Sequence, residues 1–450
     1  MPLPTQEATP MIRMTRRSFT SGSAVAGLSL APLVKLLSAK TAHAAPPPHA
    51  GFGPLVPKLP TNMAELPPGR QNIAYMTLPE GFEYSVVSFR DQIMRDGNPV
   101  PGAADGMAAF PGGPGRIHLV RNHELTTSGT PTIAPPGSTY NPALRGGTTN
   151  LVVDNEGHLI EQYGSLAGTE RNCAGGPTPW GSWLTCEETF ATRNGVRHGY
   201  VFEVAADGYG DPTPLVGLGR FSHEAAAVDP DTGVVYLTED RGDSCFYRFV
   251  PSEVGNLKSP GILEALKLSA WPTGVHTVRG FLGLLNQPLA VEWVSIDVPN
   301  PDTDSVRAEG ASKGAARFSR GEGCWYGDGL IYFVCSDGGE LRAGQVFAYD
   351  PLADTLTLVV ESTDRALLDA PDNITVAPDG RLYLCEDGSG GDNIVAVDHD
   401  GSLAILAQNI WSGSEWAGAC FSPVGNVMFV NMQGDGLTFA LKGPWKRRAR

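Results

Sequence analysis

From about residue 75 onward, short runs of alternating apolar and polar residues recur along the chain, each bounded by Gly, Pro, Asp or Asn. A period of two predicts half-buried β-strands rather than amphipathic helices, whose apolar positions would recur every three to four residues. The runs fall into six copies of one unit: a polar or acidic start, small apolar residues, a turn, an aromatic-aliphatic strand and a closing polar cluster. The copies run from Asp105 to Glu124, Asn172 to Glu188, His223 to Asp240, Gly321 to Asp337, Asp372 to Asp387 and Glu415 to Gln433. A unit of two strands and a hairpin cannot bury its apolar face alone, so repetition predicts stacking of units around a common axis. The expected fold is all-β: a six-bladed β-propeller over residues 75–445, with loop insertions decorating one face.

The first 44 residues read as an address. Thr15-Arg16-Arg17-Ser18-Phe19 precedes a modestly apolar stretch from Ala24 to Leu37, and Ala42-His43-Ala44 places small residues where a signal peptidase reads. Residues 1–44 are expected to be a twin-arginine signal cleaved after Ala44, with an ordinary secretory signal as the alternative. The chain would engage the twin-arginine export machinery and end in the periplasm or outside the cell. A Pro-rich segment, 45–74, separates this signal from the repeats. No other stretch reaches the roughly 18 apolar residues of a spanning helix, so no membrane span is expected in the mature chain.

Composition narrows the chemistry. Gly (55) and Pro (37) are abundant and charged residues make up only 18% of the 450, which argues against helical bundles and coiled coils. The formal charge of -15 argues against a nucleic-acid-binding surface, which needs clustered Lys and Arg. Removal of residues 1–44, with five Lys/Arg and one Glu, leaves the mature chain more acidic still.

Radial repetition brings residues at one repeat offset together around a ring. Strand starts carry Asp105, Glu224, Glu322, Asp372 and Glu415; strand ends carry Glu124, Cys186-Glu187-Glu188, Glu239-Asp240, Asp337 and Glu386-Asp387. Carboxylates brought within a few ångströms raise one another's pKa or recruit cations, and oxygen-only clusters favour Ca²⁺. Solvated turn residues are the bland alternative. Of the seven cysteines, Cys186, Cys335 and Cys385 close strands while Cys173, Cys324 and Cys420 open them. Pairings such as Cys173 with Cys186 or Cys324 with Cys335 are conceivable, as is a role as small buried residues. Cys186, followed directly by Glu187 and Glu188, could instead hold a transition metal. Arg320, in Phe318-Ser319-Arg320-Gly321-Glu322-Gly323, could grip a phosphate with its planar guanidinium or simply pair with a neighbouring acid. His123 and His223 are open between ligand, acid-base and structural roles. No Gly-x-Ser-x-Gly elbow, His-Glu-x-x-His pair or Walker loop occurs.

Leu119-Val120-Arg121-Asn122-His123-Glu124, Arg171-Asn172-Cys173-Ala174-Gly175-Gly176 through Cys186-Glu187-Glu188, and Gly219-Arg220-Phe221-Ser222-His223-Glu224 resemble, in order, the PhoX-type alkaline phosphatases, as do Ser319–Gly323 and Pro371-Asp372-Asn373. That resemblance implies a six-bladed propeller holding an iron (Fe³⁺) and calcium (Ca²⁺) cluster, and hydrolysis of small-molecule phosphate monoesters through a metal-held oxygen. It implies Cys186, Glu224 and Glu322 as iron ligands, with Glu322 and Arg320 at the reacting phosphate and Arg320 as its clamp. Glu124, Glu187, Glu239, Asp372 and Asn373 are implied for the calcium shell. Two rival readings are a Ca²⁺-dependent lactonase or organophosphate hydrolase, which the stretch from Asp372 to Gly380 also resembles, and a non-catalytic propeller with structural calcium.

Overall fold

The alternating runs are realised as β-strands within residues 51–445, which a computed structural model of the chain describes; the signal expected at 1–44, with its cleavage site, lies outside the described residues. Among the described residues the α-helix is the short Val306–Ser312, and no helix is long and apolar enough to cross a membrane.

Two four-stranded antiparallel sheets follow the repeat most simply. One runs Ala104–Pro111, Arg116–His123, Gly146–Asp154, Leu159–Thr169; the other runs Trp416–Phe421, Val427–Met432, Leu437–Lys442 and then Glu83–Phe89. The second joins the two ends of the described chain, with Phe89 opposite Leu437 and Tyr84 opposite Leu441. A three-stranded sheet holds Asn172–Pro177, Ser182–Glu187 and Val201–Ala205. A six-stranded sheet starts at Pro371–Val376 and ends at Val56–Lys58, so part of the Pro-rich segment serves as an edge strand paired with Met76–Leu78.

Besides a small hairpin of Thr192–Arg193 with Val196–Arg197, one large sheet departs from the expected pattern. The strands that start at His223–Val228 and those that start at Gly321–Gly327 form one continuous nine-stranded sheet. Its halves join where Leu289 and Ala290 lie opposite Leu356 and Thr355. The arrangement is therefore all-β and propeller-like, but its sheets do not separate into six free-standing blades.

The first strands of the repeats line the centre. Ala104–Pro111 packs on Asn172–Pro177, and the contacts continue through His223–Val228, Gly321–Gly327, Pro371–Val376 and Trp416–Phe421 back to Ala104–Pro111. Glycines permit this approach. A Cβ on Gly106 would stand 2.6 Å from Ala174 Cα, and one on Gly323 would stand 2.7 Å from the Asp372 carbonyl oxygen. Apolar clusters fill the spaces between sheets, and Trp325 packs against three of them. All seven cysteines are buried and free, so neither conceivable disulfide is made.

Candidate metal centre and active site

One backbone hydrogen bond recurs in all six units and defines equivalent positions. The N–H groups of Glu124, Glu188, Asp240, Ser336, Asp387 and Gln433 donate to the carbonyls of Ala103, Arg171, Ser222, Arg320, Ala370 and Glu415, at 2.9 to 3.3 Å. Two residues beyond each of those carbonyls stand Asp105, Cys173, Glu224, Glu322, Asp372 and Ala417. Every inner strand carries a register shift here: Ala104/Met107, Asn172/Gly175, His223/Ala226, Gly321/Cys324, Pro371/Asn373 and Ala417/Cys420. A β-bulge re-aims a side chain out of strict alternation, which explains how five acids or thiols from sequence-distant strands come to face one centre.

Three sets of ligand atoms result, each with its atoms within 4.8 Å of one another: Cys173, Glu188 and Glu224; Asp105, Glu124 and Glu415; and Glu224, Glu322 and Asp372. Glu224 belongs to two of them. The Cys173 thiol donates to Glu224 Oε2 at 3.0 Å, and Ser336 Oγ donates to Glu322 at 2.5 Å. Backbone anchors come from neighbouring units. Asn122 Nδ2 donates to the carbonyls of Cys173 (3.1 Å) and Ala174 (2.8 Å), Thr238 Oγ1 to that of Glu322 (2.5 Å), and Asn431 Nδ2 to that of Asp105 (2.6 Å).

The electrostatics are those of acids crowded without enough counter-charge. Burial, then the charges of Glu322, Asp372 and Glu188, pushes the Glu224 carboxyl well above its usual range. Burial and the charges of Asp240 and Asp372 do the same to Glu322, while Arg320 opposes them. Asp372 is pushed up to about 7 and Glu188 to about 8, burial leading in both. The Cys173 thiol is raised by burial and then by Glu224.

Two guanidiniums border the acids. Arg320 grips Asp240 with Nε and Nη2, both at 2.7 Å, and lies 3.0 Å from Glu322. Burial alone would lower its pKa, but its hydrogen bonds to Asp240 and the charge of Glu322 raise it, so the guanidinium stays charged. Arg171 donates from Nε to Glu124 at 3.0 Å and from Nη2 to Glu188.

Several expected site residues are placed otherwise. Cys186 lies two residues before Glu188, the donor of the recurrent hydrogen bond, the position of Asn122, Thr238 and Asn431 in their units, and packs in an apolar cluster with Leu184, Val201 and Leu237. It belongs to none of the three sets; Cys173 does. Glu187 is saturated by the protein: it accepts from His198 Nδ1 (2.7 Å) and from the backbone N–H groups of Glu170, Gly199 and Tyr200. Glu239, at the same offset, accepts from Tyr247 Oη at 2.8 Å and from Arg307 at 3.2 Å. Glu187 thus ties down a loop and Glu239 ties a strand tyrosine to the arginine of the short helix, and neither belongs to the three sets. Asn373 follows Asp372, donates to it at 2.8 Å and accepts from the Gly418 N–H at 3.1 Å, which leaves its amide committed. Glu124, Glu224, Glu322 and Asp372 do fall within the sets, joined by Asp105, Glu188 and Glu415. The strand-start pattern contained Asp105 and Glu415; Cys173 figured there as a strand-opening cysteine, a conceivable disulfide partner and part of the family motif, not as a ligand.

The histidines take structural parts. His223 has Nε2 on the Gly219 carbonyl at 3.0 Å and stacks on Phe221, and burial depresses its pKa to about 3, so it is neutral near pH 7. His123 is held between the Gly102 carbonyl (2.8 Å) and Thr149 (2.9 Å).

Residues 52–162 and 156–436 match the family described as alkaline phosphatase PhoX, and the chain belongs to that family of phosphatases. Among solved structures it is similar to Pseudomonas fluorescens PhoX in complex with vanadate, a transition state analogue. Identity is 18%, the match covers 88% of this chain and 98% of that one, and the TM-score is 0.63, a likeness of fold. A gluconolactonase from Xanthomonas campestris is more distant, with 14% identity over 87% of this chain and 98% of that one and a TM-score of 0.42. TolB from Acinetobacter baumannii stands at 12% identity, 74% and 65% coverage and a TM-score of 0.38. No curated protein matches the chain.

Proposed function

We propose that this phosphatase is a metal-dependent phosphomonoesterase acting on small phosphate esters, exported by its twin-arginine signal to the periplasm or beyond, on a six-bladed propeller. The recurrence of one hydrogen bond and one bulge in six inner strands supports the blade count, with two neighbouring blades fused edge to edge.

The donor chemistry supports the cations. Asp105 Oδ1 is buried without a hydrogen-bond partner, an orphaned carboxyl oxygen such as a cation would satisfy. Cys173 with Glu188 and Glu224 offers a soft sulfur beside carboxylates, which suits iron; the two oxygen-only sets suit calcium. When bound, these ions would supply Lewis-acid polarisation of the phosphoryl oxygens and of water. Arg320, its plane fixed by Asp240, presents its remaining edge to the phosphate and stabilises the charge that develops there. Ser336 holds Glu322 in place beside it. A thiol in the donor set favours this reading over a calcium-only lactonase, whose site needs no sulfur.

The observation that carries the proposal is the meeting of Cys173, Glu224, Glu322 and Asp372 from four strands beside Arg320. The test is turnover of an aryl phosphate and of a γ-lactone before and after chelation. Phosphatase activity lost on chelation and restored by iron with calcium is expected. Lactone turnover without phosphatase turnover would overturn it.

A further inference from the structure

Arg171 is the repeat equivalent of Arg320. Each stands immediately before its inner strand, with φ at +54° and +56°, a left-handed conformation that residues other than Gly, Asn and Asp rarely adopt. Each backbone is pinned on both sides. The Arg171 N–H donates to the Leu125 carbonyl at 2.9 Å and the Arg320 N–H to that of Arg241 at 2.8 Å, while their carbonyls accept from Glu188 and Ser336. The other equivalent positions are Ala103, Ser222, Ala370 and Glu415, so a guanidinium is offered at two of six.

Their anchors differ in a way that matters. Arg320 is held two-pronged by Asp240, which belongs to none of the three ligand sets, so that anchor survives even when cations claim its other partner, Glu322, 3.0 Å away. Arg171 is held by Glu124 and Glu188, which belong to two different sets. A cation at either set draws on a carboxylate that Arg171 grips. Its side chain is 42% exposed against 24% for Arg320, so it has room to turn while its backbone stays fixed.

On the phosphatase reading, we propose that Arg171 is a second anion-binding residue of this site. It neutralises Glu124 and Glu188 in the metal-free chain and is released to hold the phosphate alongside Arg320 once cations claim those carboxylates. The site would then grip its anion from two guanidiniums two repeats apart, and phosphate affinity would depend on metal loading.

The experiment compares the wild-type chain with Arg171→Gln and Arg171→Lys. Inorganic phosphate serves as a competitive inhibitor of aryl-phosphate turnover at saturating iron and calcium, and calcium binding without phosphate is followed by calorimetry. Arg171→Gln should raise the phosphate inhibition constant about 10- to 100-fold, the worth of charge-assisted hydrogen bonds. Arg171→Lys should recover part of the loss, keeping the charge without the planar fork. Calcium should bind Arg171→Gln at least as tightly as wild type, because the competing cation is gone. A phosphate constant within about twofold of wild type in both variants would overturn the proposal, as would weaker calcium binding with unchanged phosphate affinity, the mark of a purely structural arginine. Should Arg171→Gln fail to fold, Arg171→Lys decides alone: a raised constant is expected, an unchanged one overturns. Absence of phosphate-ester turnover in the wild type would sink the phosphatase reading itself; normal turnover with unchanged constants would sink the Arg171 role only.

Discussion

Replacing Cys173 and Cys186 separately by Ala gives a sharp contrast, because both are fully buried strand cysteines. Cys186 sits among apolar side chains, so Cys186→Ala removes one small apolar group and leaves a small cavity, at a cost of about 1 kcal/mol. In a chain of this size that lowers Tm by at most about 3 °C and leaves the site alone. Cys173→Ala removes a similar volume but also the sulfur 3.0 Å from Glu224 Oε2, within the set containing Glu188 and Glu224. Loss of groups that merely orient a metal's ligands costs about 10- to 100-fold, so losing this one should cost more than about 100-fold in turnover. The assay is aryl-phosphate turnover with iron content per chain, checked against Tm. If Cys186→Ala lost its iron and activity while Cys173→Ala kept both, the bulge-based assignment of the centre would be wrong.

Other outcomes follow from the same geometry. Arg320→Ala should lower turnover about 100- to 1000-fold, the usual worth of a charge-stabilising donor, and should also lower Tm because Asp240 loses its partner; full turnover would refute the clamp. Glu187→Ala leaves the imidazole of His198 and three backbone N–H groups without their acceptor and should destabilise the fold by about 2–4 kcal/mol without changing calcium content, so calcium loss at normal stability would contradict its structural placement. In chelator, Tm should fall as pH rises from about 5 to about 8. Asp372, Glu386 and Glu188 have folded-state values pushed up to about 7, 7 and 8, above the carboxylates of an unfolded chain. The native state therefore holds the extra protons, and the stability they confer is present at low pH and lost through that window. A chelated chain more stable at pH 8 than at pH 5 would contradict this; loading with cations should weaken the trend, leaving the part carried by Glu386, which lies in no ligand set.

The repeat was legible because alternation and turn residues survive in sequence, and the strand-start acids followed from it: Asp105, Glu224, Glu322, Asp372 and Glu415 all reach the three sets. What was hidden is the bulge, which has no residue signature of its own. Without it, consecutive residues such as Cys186, Glu187 and Glu188 look equally eligible, although the first packs in the core, the second ties down a loop and only the third faces the centre. Cys173 shares the repeat position of Asp105, Glu224, Glu322 and Asp372 but is a thiol, so a pattern built on acids passed over it. The edge pairing of Leu289–Ser295 with Thr355–Glu361, which fuses two expected blades, depends on tertiary approach that no local pattern records.

The most direct test of the account is an anomalous diffraction map of crystals of the loaded protein, recorded at the iron absorption edge. It should show iron bonded to Cys173 Sγ and Glu224, with calcium density among the carboxylates of the oxygen-only sets. A map with no metal at the axis, or with iron at Cys186, would contradict it.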